Sequence, residues 1–99
     1  MAFKIVWSQT AVEDLKGIVQ YIALDDPNAA ANLAERIIQR IEAVSKMSFS
    51  NRAVPEKAEE SIREAILKPY RLIYQADANR GVIHVLRIWH AARGIPDVE

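Results

Sequence analysis

The tetrapeptide Asp25-Asp26-Pro27-Asn28 interrupts two stretches of helix-forming sequence, and this break constrains the fold more than any other segment. Asp26 stands where its carboxylate can accept from the unpaired amides of a following first turn. Pro27 suits the first helical position, where its missing N–H would have no partner in any case. Before the break, Val12, Leu15, Ile18, Val19 and Ile22 recur at helical spacing and predict a helix over about Gln9–Leu24. Ser8 occupies its N-cap position, and Glu13 and Asp14 lie near the end where the helix dipole favours negative charge. After the break, Ala30, Leu33, Ala34, Ile37, Ile38, Ile41 and Val44 predict a second amphipathic helix over about Pro27–Met47. So short a link forces an antiparallel hairpin, and the small side chains of Ala29 to Ala31 and Ala34 let the helices approach closely.

The flanking sequence reads as strand. Phe3–Trp7 is rich in β-formers and predicts a first strand. Residues Ser48–Glu60 lack periodicity and contain Asn51 and Pro55, so they read as a loop with one helical turn at Glu56–Glu60. Ile62–Leu67, Tyr70–Ala76 and Val82–Trp89 then predict three strands, the first two separated by Pro69. Asp77–Gly81 has hairpin chemistry, with Asn79 and Gly81 able to take left-handed angles. The order β-α-α-β-β-β predicts an α+β fold: one domain over residues 1–99, with an antiparallel meander and a helical hairpin on one face of the sheet. If the last hairpin closes with Ala76 opposite Val82, Tyr74 faces His84, Leu72 faces Leu86, and Arg71 faces Arg87. Tyr70, Leu72, Tyr74, His84, Leu86, Ile88 and His90 would then share one face, and Arg71, Ile73, Gln75, Ile83, Val85, Arg87 and Trp89 the other. Two arginines so opposed repel, which calls for an intervening carboxylate, an acidic partner, or a register shifted by one.

Charge and composition narrow the function. The 99 residues carry zero net charge, 51% are hydrophobic and 26% charged, which suits a globular chain and gives no overall attraction for nucleic acid. The basic residues are nonetheless concentrated. Between Arg63 and Arg93 there are six (Arg63, Lys68, Arg71, Arg80, Arg87, Arg93) against only Glu64 and Asp77, giving either a solvated edge or a surface for an acidic partner. There is no cysteine, no apolar run of membrane-spanning length and no signal-like segment, so a cytoplasmic protein without disulfides is expected. Phosphate-binding glycine loops, H-E-x-x-H and a serine nucleophile elbow are missing. No metal site or cofactor is predicted, because the two histidines have no carboxylate cluster in their strand. His84 reads as a packed strand residue, and Trp7 and Trp89 as core or core-edge aromatics. His90, where the chain leaves the last strand beside Trp89 and Arg93, is the stronger functional candidate.

Three segments together resemble one family. Val6-Trp7-Ser8 with Ala11, Asp14-Leu15, Ile18 and Tyr21-Ile22 looks like the opening of the ParE/RelE superfamily of toxins. Pro69-Tyr70-Arg71-Leu72-Ile73-Tyr74 resembles the superfamily's strand signature. Val85-Leu86-Arg87-Ile88-Trp89-His90-Ala91-Ala92-Arg93 looks like its closing strand with a histidine–arginine exit. The resemblance spans about residues 3–93. It implies a ParE/RelE-like fold and a compact toxin encoded beside an antitoxin, whose flexible segment wraps and blocks it.

The superfamily has two branches, and the resemblance leaves a choice between them. RelE-like members cut messenger RNA on the ribosome, whereas ParE-like members inhibit DNA gyrase by binding. Arg71 matches an arginine that the nuclease branch uses to hold the scissile phosphate. Around it, Arg63 is followed by Glu64 and Ala65 where nuclease relatives carry lysines, Ala91 falls at a second arginine position, and no tyrosine follows His90. Arginine is always protonated and makes a poor base, so cleavage would leave proton transfer to His90. The expected reading is therefore a gyrase-inhibiting toxin with no catalytic residues and a ParD-like antitoxin; the alternative is a ribosome-dependent endoribonuclease using Arg71 and His90. Target binding is expected at Arg71, Arg87, Trp89, His90 and Arg93. Antitoxin binding is expected at Ile18, Ile22, Arg63, Arg71 and Arg87. Neither a membrane nor sequence-specific nucleic-acid binding is expected.

Overall fold

A computed structural model describes residues 3–46 and 62–96. Strand β1 (Lys4–Trp7) leads into helices α1 (Gln9–Ala23) and α2 (Pro27–Val44), followed by strands β2 (Ile62–Leu67), β3 (Tyr70–Asp77) and β4 (Val82–His90) and a short 3-10 turn, Ala91–Arg93. Both helix starts follow from their caps. Ser8 Oγ accepts from the amide of Ala11 at 3.0 Å, and Asp26 Oδ1 accepts from the amide of Ala29 at 3.1 Å, with Pro27 opening the second helix. The second helix ends at Val44, three residues short of the expected end, with Ser45 as C-cap. The expected helical turn at Glu56–Glu60 lies outside the described residues.

The sheet order is β1-β4-β3-β2. The three later strands form the expected antiparallel meander, and β1 joins it parallel to β4, pairing Lys4 with Val82 through Trp7 with Val85. The parallel pairing makes the sheet mixed, and the helical hairpin is the crossover that permits it. At the β3–β4 turn Gly81 takes a positive φ of 64°, whereas Asn79, against expectation, does not adopt a left-handed conformation.

The β3–β4 register differs from the sequence expectation. Asp77, not Ala76, stands opposite Val82, and a bulge shifts the pairing once more between Ile73 and Tyr74, whose partners are Arg87 and Val85. Leu86 is the extra residue. Arg71 therefore faces Trp89 rather than Arg87, and Tyr74 faces Val85 rather than His84. The faces change accordingly. Ile83 and Val85 join Leu72, Tyr74 and Ile88 under the helices, all at 1% exposure or less, where Ala11, Ile37, Ile41 and Val44 complete the main core. Period-two alternation would have turned Ile88 away from Val85, and the bulged residue restores it to the core side. Leu86 packs instead with a second cluster of Ile62, Ile73 and Trp89. Both sides of the sheet thus bury apolar area, which explains why β3 is buried almost without interruption.

A cleft at the exit of the last strand

Strand β1 stops at Trp7, so the second half of β4 has no strand beside it on that side. The start of α1 supplies the missing partners. The Ser8 amide donates to the Val85 carbonyl at 3.0 Å, and Ser8 Oγ donates to the Leu86 carbonyl at 3.2 Å. Asp14 then accepts the Ile88 amide at 3.1 Å. Its carboxylate also takes a bidentate pair from Arg87, Nε to Oδ2 at 2.8 Å and Nη2 to Oδ1 at 2.9 Å. Asp14, expected from the sequence to act on the helix dipole, instead ties α1 to β4.

Past this clamp, a cleft of about 440 Å³ opens between α1 and the strand ends. Glu13, Asp14, Gly17, Ile18, Tyr21 and Ile22 of α1 form one wall; Tyr70, Ile88, His90 and Arg93 line the rest. Burial holds the Tyr70 hydroxyl above its usual range. The ring of Tyr70 meets His90 edge-on, with centroids 5.4 Å apart. His90 Nδ1 accepts from the amide of Ala92 at 3.1 Å, which places the proton of the neutral ring on Nε2. The Ala91 amide donates to the Pro69 carbonyl at 2.9 Å, and Trp89 Nε1 donates to the Gly94 carbonyl at 3.2 Å, so the exiting chain is pinned at both ends of its turn.

The structure therefore brings together Ile18, Ile22, His90 and Arg93, with Arg87 adjoining through Asp14. Trp89 is 5% exposed and meets the cleft through Arg93, whose guanidinium carbon lies 4.3 Å from its ring centroid. Arg71 and Arg63 sit elsewhere. Arg71 lies on the opposite sheet face, 9% exposed and paired with Glu64. Arg63 lies on β2, half-buried and in register with Tyr74. The two arginines expected to oppose each other are not neighbours in register, and each has its own carboxylate. Glu64 could be noted in the sequence only as a departure from lysine. Asp14 and Arg87 are 73 residues apart, so their pairing carried no local signal.

Among the described residues no group of three or more metal-ligating side chains lies together, and no helix is long and apolar enough to cross a membrane.

Residues 5–95 match the family described as the ParE toxin of the type II toxin–antitoxin system parDE. The chain belongs to the ParE toxin family. Its sequence is also 33% identical over 92 residues to Toxin RelE2 of Caulobacter vibrioides, covering 91% of this chain and 97% of that one. The fold matches a chain of the chromosomal ParDE system from P. aeruginosa with a TM-score of 0.72 at 20% identity, over 90% of this chain and 96% of the other. A chain of the toxin–antitoxin complex RelBE2 from Mycobacterium tuberculosis matches with a TM-score of 0.64 at 20% identity, over 91% and 99%. The protein is thus a type II toxin of the ParE/RelE superfamily, with that superfamily's α+β fold.

Proposed function

We propose that this toxin acts by binding DNA gyrase and thereby blocking replication, and that a ParD-like antitoxin neutralises it. The observation that carries the reading is the state of the polar groups expected to meet the target. Arg71 is buried against Glu64, Arg87 is held bidentately by Asp14, and the lone pair of His90 Nδ1 already accepts a backbone amide. A neutral His90 in this tautomer offers a hydrogen-bond donor at Nε2 and no vacant base. Binding chemistry needs only such donors and the apolar wall of Ile18 and Ile22. Cleavage beside a ribose hydroxyl needs proton acceptance and a stabilised phosphate as well.

The ribosome-dependent ribonuclease is the second reading, supported by the convergence of His90, Tyr70 and Arg93 on one cleft and by the likeness to Toxin RelE2. Purified toxin added to gyrase separates the two. Inhibition of supercoiling is expected; no inhibition at micromolar excess, together with codon-specific cutting in a translation extract, overturns the gyrase reading. The antitoxin segment is proposed to lie along the apolar surface of the helical hairpin beside the cleft, where Tyr21 and Leu24 are 75% and 82% exposed. Replacing Ile18 and Ile22 by serine should weaken that complex, and unchanged binding would overturn the placement.

A further inference from the structure

Two cations share one indole. The guanidinium carbon of Arg87 lies 4.9 Å from the centroid of the Trp89 ring, and that of Arg93 lies 4.3 Å from it. Each is attracted by the ring, but like charges brought to one indole oppose each other. Asp14 supplies an anion against this opposition, taking both Nε and Nη2 of Arg87. The same carboxylate accepts the Ile88 amide, so it also fixes the strand immediately before Trp89.

We infer that Asp14 is a positioning residue for the toxic surface: by neutralising and clamping Arg87, it keeps Arg93 on Trp89 at the mouth of the cleft. Among the described residues no carboxylate pairs with Arg93, and its ring contact holds it in place. A guanidinium resting on an aromatic face keeps its in-plane N–H donors available to a partner. Loss of the Asp14 charge would remove the bidentate clamp on Arg87 beside the ring, leaving less restraint on its position, and would disfavour Arg93 there. The inference rests on the reading that this cleft meets the toxin's target, and it is independent of whether that target is gyrase or the ribosome.

A double-mutant cycle tests it, read as growth arrest under graded induction of the full chain. Asp14→Asn and Arg93→Ala should each raise the toxin level needed for arrest by roughly tenfold, the scale expected of one well-placed cationic contact. The double variant should be no weaker than Arg93→Ala alone, because Asp14 acts through Arg93. The indole N–H resonance of Trp89, assigned with Trp7→Phe, should shift in Asp14→Asn, since Arg93 lies against that ring. Multiplying losses in the double variant, full toxicity of Arg93→Ala, or an unmoved resonance would each overturn the inference. If Asp14→Asn does not fold, Asp14→Ala, which also removes the charge, takes its place in the same cycle with the same deciding outcomes. The gyrase assay on the unaltered chain is run beside it: no inhibition there overturns the gyrase reading alone, whereas no growth arrest by the unaltered chain overturns both.

Discussion

Arg71 Nε donates to Glu64 Oε1 across the β2–β3 pair, and the two residues are only 9% and 1% exposed. Both charges have left water, so their attraction largely offsets the cost of dehydrating them. The pair holds the outer face of the sheet together most strongly against the loss of one member. Glu64→Gln would remove the carboxylate charge that faces a buried guanidinium and should destabilise the fold by about 3 kcal/mol, measured by urea unfolding. Exchange of both residues for apolar ones of similar size, Glu64→Leu with Arg71→Met, should return to within about 1 kcal/mol of the parent.

Ser8 accepts from Ala11 and donates to Leu86, whereas Asp26 caps its helix in an exposed position. Ser8→Ala removes both a cap and the partner of a carbonyl on β4. It should cost about 2 kcal/mol, against about 1 kcal/mol or less for Asp26→Ala. Equal losses in thermal unfolding would mean that the Leu86 contact adds nothing.

Tyr70 sets a pH limit. Folding holds its proton more tightly than the unfolded chain does, where the hydroxyl titrates near 10.0. Its contribution is complete below that value and is lost as the pH rises through the higher folded-state value. Stability measured from pH 9 to 11 should therefore fall less steeply for Tyr70→Phe than for the parent, and parallel curves would count against the desolvation of this hydroxyl.

His90 discriminates by magnitude. As a hydrogen-bond donor stacked edge-on against Tyr70, it should be worth roughly tenfold in inhibitory potency when replaced by alanine. A proton-transfer role would cost on the order of 10²–10⁴. Dose–response curves for His90→Ala in the gyrase assay and in growth arrest would show which range applies.

The elements were legible where their causes are local. Ser8, Asp26 and Pro27 announce both helix starts, and the stripes from Val12 to Ile22 and from Ala30 to Val44 mark the inward sides, except for Ile38, which is exposed. Gly81 marks the hairpin. The register was not legible, because the turn already pairs Asp77 rather than Ala76 with Val82, and the bulge at Leu86, which leaves no special residue behind, moves every later pairing by one more. The parallel docking of β1 was hidden for a related reason: a short strand of β-formers carries no sign of which neighbour it will join. At the site, His90 and Arg93 stood out through their position at the strand exit, and Ile18 and Ile22 through their helical spacing. The carboxylates that decide the roles of Arg71 and Arg87 did not. Glu64 reaches its partner across a strand pair and Asp14 across almost the whole chain, and such pairings follow from packing rather than from sequence pattern.

The parallel union of β1 with β4 also bears on when the molecule can become active during synthesis. Strand β4 lies between β1 and β3, so a nascent chain that has not yet extruded Val82–His90 offers β1 no strand to join and β3 only β2. The helical hairpin can form early, but the cleft cannot, because its far side is the last strand and the turn after it. If the cleft meets the target as proposed, harm to the producing cell is deferred until translation of this region is finished, and the order of emergence from the ribosome acts as a timer built into the topology.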